Sequence, residues 1–356
     1  MVKNKKNILI YRLGSLGDTI IVLPCFHQIL KAFPDANIVL LTNKPVASKA
    51  APLEAVLGMG LFYHEIIDYP IGSRNIKLLL KLILNLRSYK FECMVNLTAA
   101  RGESAAKRDK MFFGLAGIKK MIGFPKIDSD FALITDPETG EKEWEAKRLA
   151  RRIDTIGIPD LMLDDNWDLK LLPNEIQESQ NQLDKLPKGI KLLSVSPGTK
   201  MQSKDWTIEN WVALLKLLAP VLKDWGLVII GAPDEKDAAE QCANAWHEGK
   251  VLNICGKVSL RECAGVIKNT NLFLGHDSGP MHLAGALGVP VVAVFAAINI
   301  PRQWFPRGNN NRIIYHKTDC AGCKLTVCTE QNKKCILSIT PLEVFNETMK
   351  TIDNLS

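Results

Sequence analysis

Ile8-Leu-Ile-Tyr-Arg-Leu-Gly-Ser-Leu-Gly-Asp18 runs from a short apolar stretch straight into a glycine turn, and a helical pattern follows from Ile20 to Ala32. A brief, uninterrupted apolar run followed by an amphipathic stretch is what a strand buried on both faces and its crossover helix look like. The alternation continues outward from this unit. Asn37–Leu41, Glu65–Ile67 and Cys93–Val95 supply further strands, with Ile76–Arg87 as a helix between them. Beyond a polar stretch the theme returns: Leu192–Val195, Gly226–Ile230, Val251–Ile254, Leu272–Leu274 and Val291–Phe295 are strands, and 208–222, 235–247, 260–268 and 281–287 are helices. The pattern predicts an α/β protein with two parallel sheets, each covered by helices, and a ligand at the carboxyl ends of the strands.

The chain has 356 residues, which at about 150 residues per domain predicts two domains of similar size. The polar segment Leu171–Gly189, with Pro173, Pro187 and Gly189 around one helix, is the expected linker. Domains are therefore expected at 1–172 and 173–339. Thr340 and Pro341 form a helix start, an N-cap followed by proline at the first helical position, for a last helix over 340–356.

A hydrophobic fraction of 47% and a charged fraction of 23% exclude a disordered or fibrous chain. The 45 basic and 38 acidic residues leave +7, too mild to indicate a nucleic-acid binder, but suited to anionic small molecules or an anionic membrane surface. The start of the chain lacks the apolar run of a secretory leader, and its greasiest stretch, Leu78–Leu86, is interrupted by Lys81 and Asn85. The expected location is the cytoplasm. Nine cysteines argue against a disulfide scaffold. Four of them, Cys320, Cys323, Cys328 and Cys335, crowd together as a candidate structural metal site, with free thiols or a disulfide as the alternative.

Three motifs carry candidate chemistry. In Arg12-Leu-Gly-Ser-Leu-Gly-Asp18 the G-x-G-x-x-G spacing of a dinucleotide loop is absent, and Asp18 stands where a pyrophosphate would be repelled. Asp18 is then an acid–base group at a strand end or the cap of the next helix. Ser196-Pro-Gly-Thr-Lys-Met-Gln-Ser-Lys204 places the Thr199 hydroxyl and the charges of Lys200 and Lys204 in a tight turn, as a phosphate-binding loop or a solvated basic one. Gly275-His-Asp-Ser-Gly-Pro-Met-His282 leads a strand into a small-residue helix whose free N–H groups suit an anion. From Arg101 to Lys120, six basic residues face two acidic ones, which fits a solvated helix face or an acidic acceptor.

Together these three motifs resemble glycosyltransferase family nine, the ADP-heptose:lipopolysaccharide heptosyltransferase family of Gram-negative bacteria. The resemblance runs from residue 7 to about 348. It implies a GT-B fold with two Rossmann-like domains, acceptor on the first and nucleotide-sugar on the second, and a C-terminal helix packing back on the N-terminal domain. It implies an inverting transfer of heptose from ADP-L-glycero-D-manno-heptose to a lipopolysaccharide inner-core acceptor, with Asp18 as general base and Arg12 as its basic companion. Thr199, Lys200 and Lys204 would meet the donor's diphosphate, and Asp277, Ser278, Gly279 and His282 match the donor signature. Val258 would flank the adenine, and Asp234 or Glu235 would replace a ribose-binding glutamate in an altered segment, which keeps other nucleotide-sugars open. Arg101, Lys107 and Arg108 would hold an anionic, lipid-linked saccharide at the inner face of the cytoplasmic membrane. No cofactor is implied for the reaction. A nicotinamide-dependent dehydrogenase is opposed by the missing glycine fingerprint, and a non-catalytic sugar-nucleotide binder by the retained Asp18.

Overall fold

A computed structural model describes residues 5–44, 51–70, 72–73, 75–125 and 133–355. The chain divides into two units, Met1–Leu169 and Lys170–Ser356.

The first unit contains β1 (Asn7–Tyr11), α1 (Leu16–Ile20), α2 (Leu23–Ala32), β2 (Asn37–Asn43), α3 (Glu54–Leu57), β3 (Glu65–Tyr69), α4 (Ile76–Ser88), β4 (Cys93–Asn96), α5 (Glu103–Leu115), β5 (Met121–Ile122) and α6 (Glu145–Arg152). Its sheet is parallel in the order β3-β2-β1-β4-β5. Ile8 pairs with Ile38 on one side and Cys93 on the other, so β1 is central, and its Ile8, Leu9 and Ile10 are fully buried. The helix expected over 20–32 is two helices. Pro24 has no N–H to offer the Ile20 carbonyl and its ring would clash there, so α1 stops at Ile20 and α2 restarts with Pro24 in its first turn.

The second unit contains α7 (Pro173–Leu183), β6 (Lys191–Ser196), α8 (Ile208–Leu218), β7 (Trp225–Ile229), α9 (Lys236–Ala243), β8 (Val251–Asn253), α10 (Leu260–Lys268), β9 (Leu272–His276), α11 (Gly279–Ala286), β10 (Val291–Phe295), β11 (Arg312–Tyr315), α12 (Lys334–Leu337) and α13 (Pro341–Asp353). Its parallel sheet runs β11-β10-β9-β6-β7-β8. In each sheet the strand order reverses beside the first strand, between β1 and β4 and between β6 and β9. Loops diverge at those points and leave a crevice at the carboxyl ends. The expectation of two parallel α/β sheets is met.

One expectation about organisation needs correction. The segment 171–189 is no free linker: α7 lies on α10, where Glu175 pairs with Arg261 at 2.6 Å and the Ser179 hydroxyl donates to Glu262 O at 2.7 Å. Its polar sequence follows from an exposed outer face, and the division falls just before it, at Leu169. The last helix does start at the Thr340 cap, whose hydroxyl accepts from Glu343 N. The contacts given for α13 are with α8, β10 and β11. Val344 and Ile352 are buried in the second unit's core, which supplies the apolar surface that this face needs. Among the described residues no helix is long and apolar enough to cross a membrane.

Candidate active site

In the first unit the turn after β1 is built around a buried arginine. Arg12 is fully buried and donates to the carbonyls of Leu97 and Asp18. Burial pulls its pKa down, and the negative charges of Asp18 and Glu145 oppose that effect. The Asp18 carboxylate lies 3.7 Å from Arg12 Nη2 through Oδ1, while Oδ2 accepts from Ser15 N at 2.9 Å and Ser15 Oγ at 3.2 Å. Ser15, not Asp18, is the N-cap of α1, and the capping expected of Asp18 takes the form of a capping-box bond made from the third helical position. It occupies one oxygen and leaves the side chain 30% exposed at the strand end. Gly14 is required here: its φ is +128°, and a Cβ would stand 2.7 Å from Asp18 Oδ2.

Beneath Arg12 lies a pair that the motifs did not reveal. Glu145 and Arg148 are fully buried, joined by two hydrogen bonds of 2.8 and 2.6 Å, and Arg148 Nη2 donates to Thr98 O at 2.9 Å. Arg12 and Arg148 therefore grip consecutive carbonyls of the loop after β4. The detectable signal was a helix, Glu145–Arg152, with too few apolar residues to form a buried face. Just beyond, Asn96, Thr98, Arg101, Gly102, Asp109 and Arg152 line an open depression.

Of the three basic residues expected on the acceptor, Arg101 lines this depression. It pairs with the buried Asp109 and lies over the Tyr11 ring at 5.7 Å. Lys107 and Arg108 are exposed on α5, engaged with Glu103 at 2.5 Å and Asp109 at 3.4 Å.

In the second unit the loops after β6 and β9 converge. Lys204, on a short 3₁₀ turn, holds the Asp277 carboxylate at 2.6 Å and its carbonyl at 3.1 Å. Asp277 follows the end of β9, and Ser278 caps α11 from an extended conformation. Ser278 Oγ is buried and makes no hydrogen bond, so an acceptor-rich ligand at this helix start would satisfy it. Gly279 begins the helix, and His282, one turn in, is buried with its ring 6.3 Å from that of Trp304.

Sequence reasoning overlooked His276. Its Nε2 accepts from Trp206 N at 3.1 Å and from Trp211 Nε1 at 3.3 Å, so the proton resides on Nδ1. Burial pushes its pKa down to about 4, and the ring is a neutral post joining β9 to the Lys204 loop.

The loop after β7 brings Glu235, rather than Asp234, against the phosphate-loop candidate. Glu235 Oε2 accepts from Ala232 N at 2.7 Å, and a Cβ on Gly198 would stand 2.0 Å from Glu235 Oε1. Thr199 and Lys200 follow Gly198 directly, and Asp234 and Glu235 are the carboxylates acting on Lys200. Val258, half-buried, lies in the loop after β8, which is tied to this region by Gly256 N donating to Gly231 O at 3.0 Å.

Of the readings open for the cysteine cluster, the structure shows the free thiols. Among the described residues no three His, Cys, Asp or Glu side chains gather as a metal-holding group, and all nine cysteines are free. Cys328 and Cys335 are buried while Cys323 is exposed. The segment braces the Lys204 loop instead. Ser203 N donates to Thr326 O at 3.2 Å, Cys328 N to Gln202 Oε1 at 2.8 Å, and Lys333 Nζ to Asp205 O at 2.9 Å.

Comparison with known proteins places this geometry in context. Residues 80–334 match the family described as glycosyltransferase family 9 (heptosyltransferase). The lipopolysaccharide heptosyltransferase 3 of Escherichia coli is 23% identical over 318 residues, covering 83% of this chain and 84% of that protein. The crystal structure of a glycosyl transferase family 9 protein from Veillonella parvula superposes with a TM-score of 0.71 at 18% identity, over 99% of both chains. The structure of the E. coli ADP-heptose LPS heptosyltransferase II superposes with a TM-score of 0.65 at 18% identity, over 98% of this chain and 99% of that one.

Proposed function

The chain belongs to glycosyltransferase family 9, and on that premise we propose that it transfers heptose from ADP-L-glycero-D-manno-heptose to a lipopolysaccharide inner-core acceptor with inversion. The architecture is GT-B, as expected, and the enzyme class is glycosyltransferase. The finer reading concerns the donor, the acceptor and the base. The observation that carries it is the anion site of the second unit. There Lys204 is fixed on Asp277 beside a buried, unsatisfied Ser278 hydroxyl and the free N–H groups of α11.

In this reading the donor's diphosphate lies against Lys204, Thr199, Ser278 and the α11 N-terminus, with Glu235 at the ribose and Val258 at the adenine. Asp18 accepts the proton of the acceptor hydroxyl. That oxygen bonds to the anomeric carbon from the face opposite the diphosphate, and the bond from that carbon to the phosphate oxygen breaks. ADP leaves with the electron pair, and Lys204 and the helix N–H groups stabilise the charge it gains. In the reacting complex the hydroxyl must stand about 3–3.5 Å from the anomeric carbon. Arg12 fixes the Asp18 backbone, and Arg101 supplies charge for an acidic saccharide at the depression. The chain's own residues thus neutralise the leaving group, and the reading needs no cofactor. The place of work would be the cytoplasmic face of the inner membrane, where a lipid-linked acceptor is available.

The test combines purified protein, ADP-heptose and a heptose-less core saccharide. ADP release that depends on acceptor, a product heavier by one heptose, and an inverted anomeric centre by NMR are expected. Donor turnover without acceptor, or none at all, would refute the assignment. A melting panel of ADP-, UDP-, GDP- and CMP-linked sugars checks the nucleotide, since a ligand at about 100 times its Kd adds roughly 2.7 kcal/mol.

A further inference from the structure

The helices α4 and α5 bury Leu82, Leu86, Phe113 and Ala116 against the first sheet. Their opposite faces should then be polar, as on an ordinary surface helix. They are not. Ile76, Leu80 and Leu84 recur every four residues along α4 with exposures of 71%, 53% and 67%, and Met111 and Leu115 on α5 are 64% and 58% exposed. Apolar side chains set in rows on two neighbouring helices mark an interaction surface rather than scattered surface residues.

The charge beside the band selects the partner. Lys77, Lys81 and Arg87 flank it on α4, which has no acidic residue, and Lys107, Arg108 and Lys110 flank it on α5. Between residues 76 and 120 the sequence holds ten basic and three acidic residues, a balance of +7 that equals the formal charge of the whole chain. Arg87 also borders Gly117, so the carboxyl ends of the two helices lie side by side. A second copy of this face would set one cationic segment against another, which disfavours self-association. Anionic lipid satisfies both features, because basic side chains meet headgroups while apolar ones enter the acyl boundary.

We propose that the outer face of α4 and α5 is a docking surface for an anionic lipid bilayer. Docking rests on this surface alone; its use, bringing the enzyme to a lipid-linked acceptor, rests on the function proposed above.

The test is co-sedimentation with vesicles of phosphatidylglycerol mixed equally with phosphatidylcholine, against phosphatidylcholine alone. Donor and acceptor are absent, so the result is independent of whether transfer succeeds. The protein should sediment with the mixed vesicles only and be released by salt. Lys77→Gln/Lys81→Gln should weaken binding about 25-fold, near fivefold per basic residue. Leu80→Ser/Leu84→Ser should weaken it roughly tenfold or more, with the melting temperature retained because both side chains are exposed. Equal binding to both vesicles, no binding to either, or unchanged binding by the variants would overturn the proposal. So would a concentration-dependent dimer that Leu80→Ser/Leu84→Ser abolishes, since the face would then belong to a second copy.

Discussion

Acidification should loosen the second unit through His276. The ring is buried and neutral, with Nε2 accepting two N–H groups, and burial lowers its pKa from 6.5 to about 4. In the unfolded chain the imidazole takes up a proton near 6.5, whereas in the native protein it resists until about 4. Across that window the unfolded state binds the extra proton, so stability is complete above it and falls as the pH drops through it. A pKa difference of this size corresponds to about 3 kcal/mol. Urea unfolding followed by tryptophan fluorescence at about pH 7 and about pH 4.5 measures it, with His276→Gln as the reference that keeps an acceptor but does not titrate. The natural protein should lose about 2–3 kcal/mol more than the variant on acidification. Parallel losses in the two proteins would refute the role assigned to the ring.

Other variants test the remaining parts of the site. Asp18→Asn keeps an acceptor for Ser15 N and should bind donor normally, while turnover falls about 10²–10⁴-fold; near-normal turnover would remove Asp18 as the base. Gly198→Ala places a Cβ 2.0 Å from Glu235 Oε1 and should weaken donor binding by calorimetry. Glu235→Ala should do the same, and the double variant should lose clearly less than the sum of the two single losses if both act through one carboxylate. Lys204→Met leaves the Asp277 side chain, 4% exposed, without its cation, and should cost about 3–5 kcal/mol in urea unfolding. Lys204→Met/Asp277→Leu should recover part of that stability while remaining unable to bind donor.

The sheets were legible because a strand covered on both faces must be apolar along its whole length, as Ile8–Tyr11 and Val291–Phe295 are. Two of the edge strands escaped for the same reason. Met121–Ile122 is only two residues long, and Arg312–Tyr315 has partly exposed side chains, so neither has the uninterrupted burial of the central strands. Asp18, Lys204 and Asp277 stood out because glycine turns after strands announce them. His276 did not, since a histidine at the end of an apolar strand gives no hint that two tryptophans will share one of its nitrogens. Glu145 and Arg148 were hidden because an ion pair three residues apart normally signals a solvated helix face, and only the fold turns it inward. The cysteine spacing left metal and free thiols both open because sequence proximity does not fix where thiols point once the segment is drawn onto the Gln202–Asp205 turn.

That attachment makes the Lys204 loop a composite of distant sequence. The conformation of 202–205 depends on partners at 326, 328 and 333, more than 120 positions downstream. A hybrid enzyme that exchanged only the stretch from β6 to β10 would inherit the visible signature residues but lose the strap that shapes them. Grafts between relatives should therefore carry the tail through Lys333 as an inseparable companion of Lys204, and drift at either end should be tolerated only when the other drifts with it.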